Sequence, residues 1–180
     1  MEKKMAQENI FLTGFMGAGK STVAGCFHSR YGREMIEMDQ VITEREGMSI
    51  PQIFDRYGEN YFRQCETKLL KDLQKQEGMV VSCGGGVILR EENVREMKKS
   101  GRIVYLAATP ETILERVKDS EDRPLLKGKK NVADIQELMN QRKEKYEAAA
   151  DIIVRTDGKT AENICMEILE NLKKTGENHV

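Results

Sequence analysis

The residues Gly14-Phe15-Met16-Gly17-Ala18-Gly19-Lys20-Ser21 set glycines, a lysine and a hydroxyl at the spacing G-x-x-x-x-G-K-[ST]. Glycines at 14, 17 and 19 open backbone angles closed to other residues, so successive N–H groups can turn inward around a phosphate chain. Lys20 adds a positive charge for the β- and γ-phosphates, and Ser21 offers a hydroxyl to Mg²⁺. The helix that begins there aims its positive dipole end at the same anion. An apolar run, Ile10-Phe11-Leu12, precedes the loop, and Thr22-Val23-Ala24 follows it. A glycine-rich turn can also join strand to helix with no ligand, but it seldom carries G-K-S and an upstream apolar strand together. The stretch therefore reads as a cradle for ATP or GTP.

Phosphoryl transfer depends on positioning and charge neutralisation, so cations and one acid are expected beyond the loop. Asp39 follows Met35-Ile36-Glu37-Met38 and could take or orient the proton of an attacking hydroxyl. Its plainer role would be a helix N-cap. Arg63 carries a planar fork that can pair with a carboxylate or a phosphate through two parallel bonds. Glu66, three residues on, could hold that fork or form a mere surface ion pair.

Gly84-Gly85-Gly86 lets a ligand come close to the backbone, although a flexible turn is a fair alternative. Arg123 precedes Pro124 in residues 119–130, a charged segment without helical or strand period. That segment is the candidate lid, and its closure would set a positive charge over the transferred phosphate. Arg116 and Arg142, taken alone, read more readily as solvated helix residues.

These residues need elements to hold them. The pattern predicts strands at Ile10–Thr13, Met35–Met38, Met79–Cys83, Ile103–Leu106 and Ile152–Val154. Helices are expected from Lys20 to Tyr31, from Gln40 to Glu46, from Ser49 with Pro51 in its first turn, and from Glu59 to Gln76. Further helices should open at Thr109-Pro110 and run from Val132 to Ala148 and from Ala161 to Lys173. Strands alternating with helices imply parallel pairing through crossovers, hence an α/β fold: a three-layer α/β/α sandwich on a five-stranded parallel sheet. Pattern alone does not order the strands.

With 180 residues and no linker-like stretch, one domain spanning 1–180 is expected. Apolar residues at 39% allow a core, while 33% charged residues keep the surface wet, and no apolar run reaches membrane-spanning length. A net charge of −1 gives no global attraction for nucleic acid or an anionic membrane. The N-terminus shows no apolar signal core. Cys26, Cys65, Cys83 and Cys165 stand far apart, and His28 and His179 do not complete a zinc site. A cytoplasmic monomer with reduced thiols is the expectation, with Cys83 set apart only by its place next to the triple glycine.

Taken together, GFMGAGKST (14–22), MDQVITEREGMSIPQIFDRYGENYFRQCE (38–66), SCGGGVI (82–88), DRPLL (122–126) and the segment from Arg142 to Tyr146 resemble the shikimate kinases over nearly the whole chain. The loop alone is widely shared. Its combination with GE-x-x-FR-x-x-E, GGG and RPLL is specific. The resemblance implies the P-loop nucleoside monophosphate kinase fold with strand order 2-3-1-4-5. It also implies ATP-dependent phosphorylation of the 3-hydroxyl of shikimate, on the route to chorismate and the aromatic amino acids.

It implies further that Gly17, Ala18, Gly19, Lys20, Ser21 and Thr22 contact ATP and that Ser21 binds Mg²⁺. Asp39 would hold the shikimate hydroxyls and serve as base, and Arg63, Gly85 and Arg142 would take the carboxylate side. Arg123 would be the lid arginine on the ATP phosphates, Arg116 would lie near the adenine, and Lys159 would make another adenine-side contact. Such kinases commonly show D-x-D where this chain has Glu37-Met38-Asp39, so the first acid here is a longer carboxylate. The competing readings are a kinase for another small polyol acid such as gluconate and a non-catalytic nucleotide-binding module.

Overall fold

A run of residues buried without a break, Asn9–Thr13, forms strand β1, which suits a strand covered on both faces. The structure is a computed structural model and describes residues 8–117 and 131–177. After β1 come α1 (Lys20–Tyr31), β2 (Met35–Glu37), α2 (Met38–Glu46), α3 (Ile50–Leu73) and β3 (Val80–Ser82). A short 3₁₀ turn at Val87–Leu89 leads to α4 (Glu91–Ser100), β4 (Gly101–Ala107) and α5 (Pro110–Val117). The chain closes with α6 (Val132–Ala149), β5 (Ile152–Arg155) and α7 (Ala161–Glu177). Arg123 and the candidate lid at 119–130 lie outside the described residues.

The five strands form one sheet in the order β2-β3-β1-β4-β5, every pair parallel. Register brings Leu12 beside Ser82 and Val104, so β1, β3 and β4 end at a common edge. The strand period of two sends Ile10 and Leu12 to one face and Phe11 to the other. On the first face they meet Phe27 of α1, Val117 of α5 and Ile168 of α7. On the second, Phe11 meets Met38 of α2, Leu69 of α3 and Met97 of α4. Helices thus cover both sides, and the expected three layers and strand order are those observed. No helix among the described residues is long and apolar enough to cross a membrane.

Boundaries shift in instructive ways. Met38 starts α2 rather than ending β2, so Asp39 sits in a first helical turn, where its charge complements the helix dipole. Ser49 and Gln52 close a capping box at the start of α3. That helix runs through Pro51 and is broken at Gly58, whose φ of 80° and ψ of 166° are non-helical, so its second half begins at Glu59 as the pattern predicts. Helix α4 has no counterpart in the sequence reading. It is missed because its apolar face is only Val94 and Met97, with Asn93 and Glu96 also turned inward.

Candidate active site

The open ends of β1, β2 and β3 surround a single cleft of 1220 Å³, at the strand edge where open parallel sheets take their ligands. Beyond β1, Gly19 caps α1 with a left-handed φ of 99°, which only glycine takes cheaply. Helix α1 has no acidic residue in its first turn, so its positive end faces the cleft uncompensated by its own side chains. Lys20 bends back and donates from Nζ to the carbonyl oxygens of Gly14 at 2.9 Å and Phe15 at 3.1 Å, which shapes the loop from within. The Ser21 hydroxyl lies 3.4 Å from that of Ser82 at the end of β3.

Arg116 reaches over from α5. Its Nη1 donates to Gly17 O at 3.1 Å, Ala18 O at 3.2 Å and the Thr156 hydroxyl at 3.2 Å, while Nη2 reaches Thr156 O at 3.3 Å. It therefore ties the phosphate loop to the residue after β5. Lys159 lies on the same side of the cleft, ion-paired with Glu167.

The opposite side is built by α3, the triple glycine and α6. Arg63 donates from Nη1 to Glu66 Oε2 at 2.9 Å and from Nη2 and Nε to Glu59 Oε1 at 2.9 and 3.2 Å. Burial works against the Arg63 charge, but Glu66 and Glu59 outweigh it and hold the guanidinium firmly protonated. Glu66 has a fully buried side chain, and its Oε1 has no hydrogen-bond partner among the described residues. Burial raises its carboxyl to about 7 despite the arginine beside it.

Asp39 opens to the cleft but sits between walls of protein. That enclosure pushes its carboxyl up, Lys20 pulls it back, and Glu37 pushes it further. Both acids crowd Gly84: a Cβ there would lie 2.8 Å from Asp39 Oδ1 and 3.1 Å from Glu66 Oε1. Tyr146 of α6 stacks on Tyr105 at 5.0 Å between ring centroids and donates its hydroxyl to Gly85 O. Burial raises that phenol to about 12, so it stays a donor. Arg142, one helical turn earlier, also lines the cleft.

The residues given nucleotide, acceptor or metal roles from the sequence that fall among the described residues line one cleft: Gly17 to Thr22, Asp39, Arg63, Gly85, Arg116, Arg142 and Lys159. Arg123 falls outside them. Cys83 is buried at the cleft floor, where burial raises its thiol and keeps it neutral. Tyr146, Glu59 and Thr156 were not singled out. A tyrosine four residues after Arg142, hence on its helix face, was the available signal for the first. Nothing local marks Thr156.

A cation-rich phosphate cradle facing an acid and an arginine fork can hold an anionic donor and an anionic acceptor with a hydroxyl between them. Comparison with known proteins bears on which acceptor. Residues 16–173 match the family model described as shikimate kinase. A shikimate kinase of Sulfurihydrogenibium sp. (strain YO3AOP1) is 41% identical over 167 residues, covering 93% of this chain and 99% of that protein. The fold superposes on a shikimate kinase from Acinetobacter baumannii, solved in complex with shikimate, with a TM-score of 0.86 and 32% identity over 97% of each chain. It also superposes on shikimate kinase from Aquifex aeolicus vf5 with a TM-score of 0.78 and 40% identity, over 93% of this chain and 98% of that one.

Proposed function

The chain belongs to the shikimate kinase family, and from that footing we propose how its cleft carries out ATP-dependent phosphorylation of the 3-hydroxyl of shikimate. The observation that supports the reading is the shared cleft, which sets Lys20 and the first turn of α1 across from Asp39 and Arg63. The ATP phosphates lie along the N–H groups of residues 17–22, with Lys20 at the β/γ end. Arg116 borders the same loop and faces the adenine side with Lys159. Arg63 and Arg142 take the acceptor's carboxylate, and Gly85 brings backbone up against the ring.

In this arrangement the acceptor hydroxyl oxygen attacks the γ-phosphorus, its proton passes to Asp39, and the bond to the β-phosphate oxygen breaks to release ADP. The raised carboxyl of Asp39 suits it to the task, because a base works best when its pKa approaches the working pH. Tyr146 keeps the Gly85 carbonyl engaged, which leaves that residue's N–H side to the ligand.

Mg²⁺ fits the donors on hand. Ser21 and Ser82 bring their hydroxyls together, and Glu37 Oε1 is buried with no hydrogen-bond partner among the described residues. When bound, the ion neutralises charge on the β- and γ-phosphates. Ser21 would help hold it, with Glu37 as the nearby acid.

The test is ADP release with shikimate, quinate or gluconate offered separately. Turnover with shikimate is expected. Turnover with gluconate alone would replace the acceptor, and ATP binding with no turnover on any acceptor would leave a nucleotide-binding module.

A further inference from the structure

Asn93 is a fully buried amide on α4 whose two ends are both engaged. Its Oδ1 accepts from the Thr67 hydroxyl at 2.6 Å, and its Nδ2 donates to Val87 O at 3.0 Å. Thr67 stands on α3 one turn after Arg63, and its hydroxyl is 2.9 Å from Arg63 O. The single hydroxyl proton can serve only one of these oxygens, and the shorter contact favours Asn93. Val87 is in turn bonded back to the glycine platform. Its N–H donates to Gly84 O at 3.1 Å, and the Leu89 N–H donates to Gly86 O at 3.0 Å. The circuit closes in space, because Gly86 lies against the Arg63 guanidinium.

Arg63, Thr67, Asn93, Val87 and Gly86 therefore form a ring of contacts joining the two elements that would face an acceptor's carboxylate. Elsewhere that junction is apolar, built from Leu70, Ile88 and Met97. Apolar contact is non-directional and sets no register by itself. A buried amide bonded at both ends does, since sliding the platform along α3 would orphan a donor and an acceptor together.

We infer that Asn93 and Thr67 are positioning residues: together they fix the height of Gly84–Gly86 against Arg63, and so the acceptor side of the cleft. The inference rests on the reading of that side as the shikimate site. It makes no demand on the nucleotide side, since neither residue touches the phosphate loop.

Thr67→Val keeps the shape of the side chain and removes the hydroxyl. With the loss of one buried partner, the KM for shikimate should rise about tenfold while the KM for ATP stays within about twofold. Thr67→Ser should restore the wild-type value. In ¹H–¹⁵N spectra of Thr67→Val, the amide signals of Gly84, Gly85 and Gly86 should move while those of Gly17 and Gly19 stay in place. An equal rise in both KM values, an unchanged shikimate KM, or failure of the serine to restore it would overturn the inference. If the unaltered protein does not turn over shikimate, the functional reading falls. The glycine amides then decide the clamp by themselves, and their staying in place would sink it.

Discussion

Arg63 lies so close over Gly86 that a Cβ at position 86 would sit 2.3 Å from its Nη2 and 2.6 Å from its Cζ. The triple glycine is thus more than a bend: one of its members is the surface on which the Arg63 guanidinium rests. Gly86 has a φ of −101°, so an added methyl group meets no backbone penalty. The cost falls on the arginine, which is the far end of a flexible side chain and can swing away. Gly86→Ala should therefore weaken shikimate binding about tenfold or more through loss of the paired geometry, and lower the melting temperature to the extent that the displaced guanidinium gives up its bond to buried Glu66. ATP binding should be unchanged. Calorimetric titration with each ligand separates these outcomes, and a wild-type shikimate affinity would show that the guanidinium needs no such support.

The fork itself is tested by Arg63→Lys. A lysine keeps the charge but cannot bond Glu66, Glu59 and a carboxylate at once in one plane, as the guanidinium is placed to do. The variant should lose shikimate affinity by about tenfold to a hundredfold, on the order of the 1.5–3 kcal/mol of a charge-assisted bond, with ATP affinity retained. Equal loss for both ligands, or none, would remove Arg63 from the acceptor side.

How much of this was readable beforehand depends on whether a function lives in contiguous sequence. The phosphate loop does, because its N–H groups must line up along one turn, and its place between β1 and α1 follows at once. Asp39 is legible because a strand end precedes it, although the helix begins at Met38, two residues before the expected Gln40.

Arg142 carried no local signal. A half-buried arginine on α6 looks like any solvated one until the sheet is built and Tyr146, one turn later, is seen bonding Gly85. Arg116 is similar, since its bonds to Gly17 and Ala18 arise only because α5 packs over the loop. The i, i+3 spacing of Arg63 and Glu66 is the same for a buried pair and for a surface pair. Only the roof of Gly84 and Gly86 over it decides between them.

That burial gives Glu66 a measurable signature. Its carboxyl is raised from an ordinary 4.5 to about 7, with burial outweighing the Arg63 ion pair, so the folded chain holds a proton that the unfolded chain releases earlier. The sign follows from linkage: the stabilisation is fully present below pH 4.5 and is lost as pH rises through about 7. At about 1.4 kcal/mol per pKa unit, the change is on the order of 3 kcal/mol.

Asp39 is shifted in the same direction and contributes with the same sign, so the wild-type curve alone does not isolate Glu66. Glu66→Gln keeps the shape and an acceptor for Arg63 while removing the titration. Urea unfolding of both proteins across pH 4.5 to 7.5, without ligands, should show wild-type stability falling more steeply with pH than that of the variant. Parallel curves would mean that Glu66 titrates alike in the folded and unfolded chains. A wild type that gains stability relative to the variant over this range would mean that Arg63 prevails over burial and keeps Glu66 ionised.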